Sequence, residues 1–168
     1  MKTLAVDPGL LCTGWSIFDE GNPTYCNKIT MKSKDTQSSR LANLIWEFST
    51  IIEEYEPEIM LIEDQYVGKN MRTSLITARA KGVIIAAGAM AGIKVIEYAP
   101  SEIKSVVTGK GNATKQFVAD ELIRIYYNSD VVKSLGAYCE KGKGKNDDMY
   151  DSIGINHTYW TLRTGKVI

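Results

Sequence analysis

The chain has 168 residues, of which 44% are hydrophobic and 24% charged, as expected for one globular domain over residues 1–168. Its 20 basic and 20 acidic side chains cancel, which argues against a uniformly basic DNA-binding surface but not against local basic patches. Because the sequence lacks a membrane-length apolar segment, a signal-peptide layout and metal-type cysteine spacing, we expect a cytoplasmic protein with reduced thiols and no membrane partner.

The N-terminal third predicts three strands and a helix. Strand-like segments at residues 3–7, 14–19 and 25–31 are separated by turn signals, which is typical of an antiparallel meander. A polar linker follows. From Ser39 onward, apolar residues recur at helical spacing and predict a helix, which Pro57 ends.

The rest of the chain alternates between helix and strand. Residues 58–63 and 95–98 predict strands, with an alanine-rich and glycine-rich helix over 72–91 between them. Ser101 is expected to cap a short helix, residues 108–112 to form a glycine-rich turn, a further helix to run from residue 112 or 113 to 127, and the last helix to cover 148–162. This order predicts a mixed α/β fold with a five-stranded sheet (an antiparallel meander plus parallel strands) and helices on both faces.

Four acidic residues stand at the ends of these elements. Asp7 and Glu63 close strands whose carboxyl ends meet at one edge of a parallel sheet, and Asp148 and Asp151 lie on one face of the last helix. Each alone could be a cap, a turn former or a surface group, and Asp147 could be an N-cap or be confused with Asp148. Together they suit two Mg²⁺ or Mn²⁺ ions, which indicates a metal-dependent nuclease.

Several motifs carry a resemblance to a known family. They are Val6-Asp7-Pro8-Gly9 with Thr13-Gly14, Ile62-Glu63-Asp64-Gln65-Tyr66-Val67-Gly68-Lys69-Asn70, Ala78-Arg79-Ala80-Lys81-Gly82-Val83, Ile103-Lys104-Ser105-Val106-Val107-Thr108-Gly109-Lys110-Gly111 with Lys115, and Asp148-Met149-Tyr150-Asp151. In order and spacing the chain resembles the RuvC-type Holliday junction resolvases of the RNase H-like nuclease superfamily. The resemblance implies an RNase H-like fold in which the metal-binding catalytic acids are Asp7, Glu63, Asp148 and Asp151. It also implies paired symmetric nicks in four-way DNA junctions, which leave 5′-phosphate and 3′-hydroxyl ends.

The resemblance also implies which side chains meet DNA. Lys104 and Lys115 would lie near the DNA backbone, with Lys115 at the scissile phosphate, and Tyr66 would stack on junction bases where the family usually has Phe. The alternatives are solvated helix lysines and a half-buried tyrosine at a strand end. Further residues expected at the DNA surface are Lys69, Arg72, Arg79, Lys81, Lys110, Lys141, Lys143 and Lys145.

A four-way junction has near two-fold symmetry, so we expect a C2 homodimer that supplies two active sites. The resemblance implies the helix over 72–91 as the dimer-forming element, although its small residues would serve packing on the sheet equally well. The basic segment 133–146 is longer than the family's usual connection and the last helix is followed by only a short tail, which suggests a phage or prophage version. His157 lies across the helix from Asp148 and is expected to be structural or exposed.

Three alternatives remain open. An actin-like ATPase or sugar kinase shares Asp7, Gly9, Thr13 and Gly14 but needs two such domains, so no nucleotide cofactor is expected. A non-cleaving junction-binding protein would not require all four acids. A nuclease of the same fold that acts mainly on other branched or flapped DNA would have the same sequence features.

Overall fold

The computed structural model describes residues 1–64, 71–136 and 146–165. Five strands form one sheet in the order β3-β2-β1-β4-β5. The strands are β1 Lys2–Asp7, β2 Cys12–Asp19, β3 Asn22–Thr30, β4 Ile59–Glu63 and β5 Lys94–Tyr98. Strands β1, β2 and β3 are antiparallel neighbours, whereas β4 runs parallel to β1 and β5 runs parallel to β4. The predicted mixed five-stranded sheet is confirmed.

The described residues also form six helices. They are α1 Gln37–Tyr55, α2 Met71–Met90, α3 Pro100–Thr108, α4 Lys115–Ile125, α5 Asp130–Leu135 and α6 Asp147–Thr164. The prediction that Ser101 caps α3 is wrong, because Ala99 is the N-cap and Pro100, with its fixed φ, occupies the first turn. Helix α4 begins later than expected because the Thr114 side chain caps it by accepting a hydrogen bond from the Phe117 amide.

The helices cover both faces of the sheet, as predicted. Side chains alternate along a strand, so Leu4 and Val6 of β1 pack on one face with α1 and α2. Ala5 of the same strand points to the other face, where Leu122 of α4 and Ile153 of α6 complete a second core. None of the described helices combines the length and apolar character of a membrane span.

A buried polar network fixes α6 across the centre of the sheet. The Asn156 amide donates at 3.0 Å to both the backbone and the side-chain oxygen of Ser16 on β2, and its Oδ1 accepts from the Thr3 hydroxyl of β1 at 2.6 Å. The Trp160 indole donates to the same Thr3 oxygen at 3.0 Å. Thr3, Ser16 and Asn156 are fully buried, so breaking one of these bonds would leave a polar group without water. The network therefore fixes how the middle of α6 lies on β1 and β2.

His157 belongs to the packing of α6 and is fully buried. Its Nδ1 lies 2.9 Å from the Tyr126 hydroxyl, and its Nε2 lies 3.3 Å from the Thr161 hydroxyl. Burial lowers the pKa of His157 to about 4, so the ring is neutral near pH 7. The structural alternative for this residue is confirmed.

Candidate active site

Asp7 and Glu63 are the last residues of the neighbouring parallel strands β1 and β4. The parallel register of β1 and β4 pairs Val6 with Ile62, so the next residue of each strand reaches the same edge. Burial raises the pKa of Asp7 well above its usual range, and the nearby carboxylates of Asp151 and Glu63 raise it further. Burial, followed by repulsion from Asp151, raises the pKa of Glu63 to about 7. Acids from three separate segments therefore act on one another at this edge.

Gly14 allows the fourth acid to approach. It lies opposite Asp7 in the antiparallel register of β1 and β2. A Cβ atom added at Gly14 would fall 1.9 Å from the backbone oxygen of Asp148, a distance that no side chain can occupy. The first turn of α6 can rest on β2 at this point only because residue 14 is glycine. The Thr13-Gly14 pair of the sequence motif thus brings Asp148 to the acidic edge.

The turn between β1 and β2 is also tight. The Thr13 hydroxyl donates to the Gly9 carbonyl at 2.5 Å, and a Cβ at Gly9 would lie 2.1 Å from the Cys12 carbonyl oxygen. At the start of β2, the Cys12 thiol donates to Asp148 Oδ2 at 2.8 Å. Burial and this carboxylate raise the pKa of Cys12 to about 11, so the thiol stays protonated and acts as a donor. This contact is not predicted by the sequence pattern, although Cys12 stands only two residues before Gly14, against which Asp148 packs.

Lys115 brings a positive charge into the acidic cluster. Its Nζ forms an ion pair with Asp151 Oδ2, and its side chain remains 59% exposed whereas that of Asp151 is 21% exposed. Burial alone would lower the pKa of Lys115, but the carboxylates of Asp151, Asp7 and Glu63 outweigh it and raise this pKa. Burial raises the pKa of Asp151 even though Lys115 opposes the shift. One ammonium group therefore offsets only part of the negative charge of the surrounding acids.

A cavity of about 200 Å³ opens beside this ion pair. Glu63 and Asp151 line it together with the ammonium-bearing side chains of Lys104 and Lys115. Its remaining lining residues are Pro100, Ile103, Val118 and Gly154. A cavity lined by both carboxylates and lysines suits a phosphodiester that is bound together with cations.

The donor chemistry of the cluster fits a divalent metal. Its side chains are carboxylates, the hard oxygen ligands that Mg²⁺ and Mn²⁺ prefer. Their pKa values are raised first by burial and then by the charges of neighbouring acids, and a cation would neutralise that charge. Among residues 1–64, 71–136 and 146–165, no three Asp, Glu, His or Cys side chains already stand as a preformed ligand group. Asp151 instead faces Lys115, and Asp148 accepts from Cys12. Cation binding would replace these two contacts.

Lys81 corrects an expectation of the sequence analysis. It was expected at the DNA surface, but its side chain is only 11% exposed and forms ion pairs with Asp64 and Glu97. A lysine engaged by two carboxylates on the inner side of α2 is poorly placed to meet a phosphate. Asp147 is likewise not an N-cap, because Asn146 precedes the helix and Asp147 is its first residue.

The other predicted DNA contacts divide into two groups. Arg72, Arg79 and Lys110 are exposed, with Arg79 donating to Gln37 Oε1 at 3.0 Å and Lys110 lying 6.0 Å from the Phe117 ring centroid. The remaining contacts lie outside the described residues and are Tyr66, Lys69, Lys141, Lys143 and Lys145.

The sequence of this chain is similar to that of one family of known proteins. The family described as "Crossover junction endodeoxyribonuclease RuvC" matches residues 3–134. The protein of that name from Hydrogenovibrio crunogenus is 33% identical over 92% of this chain and 91% of its own length. The protein of that name from Chlorobium phaeovibrioides is 35% identical over 92% of this chain and 78% of its own length.

Solved structures share the fold. Thermus thermophilus RuvC in complex with a Holliday junction substrate matches with a TM-score of 0.76 at 17% identity, over 98% of this chain and 96% of that one. The yeast mitochondrial Holliday junction resolvase matches with a TM-score of 0.71 at 17% identity, over 96% and 78% of the two chains. The RNase H-like fold is confirmed, whereas the phage or prophage origin stays a prediction. The chain belongs to the RuvC family of crossover junction endodeoxyribonucleases, which are divalent-metal-dependent nucleases.

Proposed function

We propose that this chain resolves four-way DNA junctions in the cytoplasm by hydrolysing one phosphodiester in each of two symmetric strands, leaving 5′-phosphate and 3′-hydroxyl ends. The observation that carries the proposal is the convergence of Asp7, Glu63 and Asp151 with Lys115 at one sheet edge, with Asp148 held next to them. The names of the curated relatives and the junction bound to the Thermus thermophilus protein support the choice of substrate.

Asp7, Glu63, Asp148 and Asp151 would hold Mg²⁺ or Mn²⁺, and we propose two ions per site. When bound, such ions lower the pKa of the attacking water and neutralise charge on the phosphate and the leaving 3′ oxygen. The protein supplies the ligands from β1, β4 and α6, and the buried polar network beneath α6 keeps them in register. Fixed placement of this kind lets the protein stabilise the transition state without reorganising.

The lysines of the cavity take the phosphate. Lys115 is exposed enough to leave Asp151 and meet the scissile phosphate, where its charge would stabilise the negative transition state. Lys104 lines the same cavity and would hold the neighbouring DNA backbone. Arg72, Arg79 and Lys110 are exposed and would add phosphate contacts, as would Tyr66, Lys69, Lys141, Lys143 and Lys145 on the sequence argument.

The exposed face of α2 supports a homodimer. Ala80, Ile84 and Ala87 of this helix are buried inside the protein. The opposite face exposes a stripe of apolar and small residues at helical spacing, namely Met71, Leu75, Ala78, Gly82, Ala86 and Met90. A Cβ added at Gly82 would meet nothing within 4 Å, so this face is open to close approach. A helix with two apolar faces is stabilised when both faces are buried. A second copy of α2 would bury the exposed one.

A nicking assay on a panel of synthetic DNAs tests the proposed function. Four-way junction, flap, Y-form and linear duplex substrates would be incubated with the protein and either Mg²⁺ or Mn²⁺. We expect symmetric nicks in the junction and much slower cleavage of duplex. Faster cleavage of flap or Y-form DNA would favour the branched-DNA alternative, and binding of the junction without cleavage would favour a non-cleaving junction-binding protein.

A further inference from the structure

Lys81 occupies an unusual environment for a lysine. It projects from α2, its side chain is 11% exposed, and its Nζ lies 2.7 Å from Asp64 Oδ1 while also pairing with Glu97 Oε2. Burying an ammonium group is unfavourable unless charged partners satisfy it. Here two carboxylates do so, and they belong to two different strand ends.

These strand ends lead directly to the active site. Asp64 follows Glu63 at the end of β4, and Glu97 is paired with Ile62 in the register of β4 and β5. The Asp64 amide donates to the Tyr98 carbonyl at 2.7 Å and so extends this pairing by one residue. Alternation along β4 sends Ile62 and Asp64 toward α2, whereas Glu63 points to the opposite face, where Asp151 lies.

We propose that Lys81 is a positioning residue, which clamps Asp64 and Glu97 from the face opposite the active site and thereby fixes the end of β4 and the Glu63 carboxylate. The inference rests on the proposed junction-cleaving function. Lys81 does not touch substrate in this account. It acts through the backbone of β4, one residue away from a metal-binding acid, as outer partners of metal ligands do.

The same contacts link the proposed dimer helix to the active site. Lys81 lies on the flank of α2 next to the stripe from Met71 to Met90, so this helix contacts the end of β4 and would also contact the proposed partner subunit. The contacts of Lys81 therefore fix the distance from the proposed dimer axis to the Glu63 carboxylate. This distance determines whether the two active sites of a dimer reach symmetric positions in the two DNA strands.

The test compares Lys81→Met with Lys81→Arg, using Lys94→Met as the matched control. Lys94 is an exposed lysine at the start of β5, at the sheet edge far from the acids. Single-turnover cleavage of a synthetic junction would be measured in Mg²⁺ well below the melting temperature, and junction affinity in Ca²⁺. For Lys81→Met we expect cleavage about 10–100-fold slower with unchanged junction affinity. Lys81→Arg should recover most of the rate, and Lys94→Met should match the wild type.

The outcomes separate this inference from the proposed function. A wild-type protein that cuts no junction would reject the function itself. If the wild type cuts and Lys81→Met cuts equally fast, or if its cleavage falls only in step with its junction affinity, the positioning role is wrong. If Lys81→Met does not fold, the Asp64→Asn variant tests the positioning role instead. Since the Asp64 side chain is 58% exposed, this change should leave the fold intact and slow cleavage, and a wild-type rate would overturn the inference.

Discussion

Lys115 Nζ and Asp151 Oδ2 form an ion pair that joins the first residue of α4 to the first turns of α6. This contact places an ammonium group inside a cluster whose other members are all acids. The same lysine lines the cavity together with Glu63 and Asp151, so a phosphate that enters would meet it beside these carboxylates. Its charge offsets part of the repulsion among the acids, and in the proposed function it would also receive the substrate.

The first prediction concerns Lys115 itself. Lys115→Met should slow junction cleavage about 100-fold or more, because a donor aimed at the developing phosphate charge is lost. Lys115→Arg keeps the charge and should retain part of the rate. Single-turnover cleavage at saturating protein measures both variants, with junction affinity in Ca²⁺ as the control. A Lys115→Met protein that cuts at the wild-type rate would show that Lys115 is merely an exposed surface lysine.

The second prediction concerns the contact between β2 and α6. Gly14→Ala forces a Cβ onto the Asp148 backbone, so it should destabilise the protein by about 1–3 kcal/mol or more and displace Asp148 from the site. Gly154→Ala is the matched control for stability on α6, because its Cβ would meet Ile103 at an ordinary 3.4 Å. Urea unfolding would be measured for both variants, and junction cleavage for Gly14→Ala beside the wild type, because Gly154 lines the cavity. Stability equal to that of Gly154→Ala, together with wild-type cleavage, would contradict the close approach at Gly14.

The third prediction is a pH dependence of stability without metal. Because the pKa of Glu63 is raised from 4.5 to about 7, the folded state binds this proton more tightly than the unfolded chain does. The stabilisation is complete below about pH 4.5 and is lost as the pH rises through 7, at up to about 1.4 kcal/mol per pH unit. Unfolding in EDTA from pH 4 to 8 should show this slope, and Glu63→Gln should reduce it. An unchanged slope in that variant would mean that the pKa of Glu63 is not raised in the folded protein.

Metal addition provides the complementary measurement. At pH 8, where the acids repel one another most, Mg²⁺ should raise the melting temperature because it binds the folded state alone. The increase should be smaller in Asp7→Asn, which lacks one of the proposed ligands.

The fourth prediction concerns assembly. Leu75 is 55% exposed on the apolar stripe of α2, so Leu75→Glu should leave the monomer folded and convert a dimer to monomer. Leu162→Glu, at a position 53% exposed on α6, is the matched control and should remain dimeric. Sedimentation velocity at micromolar concentration distinguishes the two. A wild-type protein that sediments as a monomer would remove the dimer from the account.

Much of the fold could be predicted from local pattern. Alternating strands, helical spacing and turn residues indicated the sheet and five of the six helices in the described residues, because these signals depend on near neighbours. Helix α5 was missed: its Asp130–Leu135 segment is too short to show periodicity and begins at a Ser129 cap. The start of α3 was misplaced because Ser101 is a common cap, whereas the backbone of Ala99 and the ring of Pro100 decide the observed start.

The site was predictable in part for a similar reason. Acids at strand ends and at a helix start are visible in sequence, and Lys115 was recognised by resemblance. The Cys12–Asp148 contact and the environment of Lys81 depend on how α6 and α2 dock on the sheet, which no local pattern reports. The positive charge of Lys81 suggested a contact with DNA. Its position on α2 instead brings it to Asp64 and Glu97.

The most direct test of the central claim is junction cleavage by Asp7→Asn, Glu63→Gln and Asp151→Asn beside the wild type, with junction affinity measured in parallel. If these acids jointly hold the metal, each variant should bind the junction as tightly as the wild type and fail to cut it in Mg²⁺. Full cleavage by any one of them would contradict the account, because it would remove that carboxylate from the chemistry.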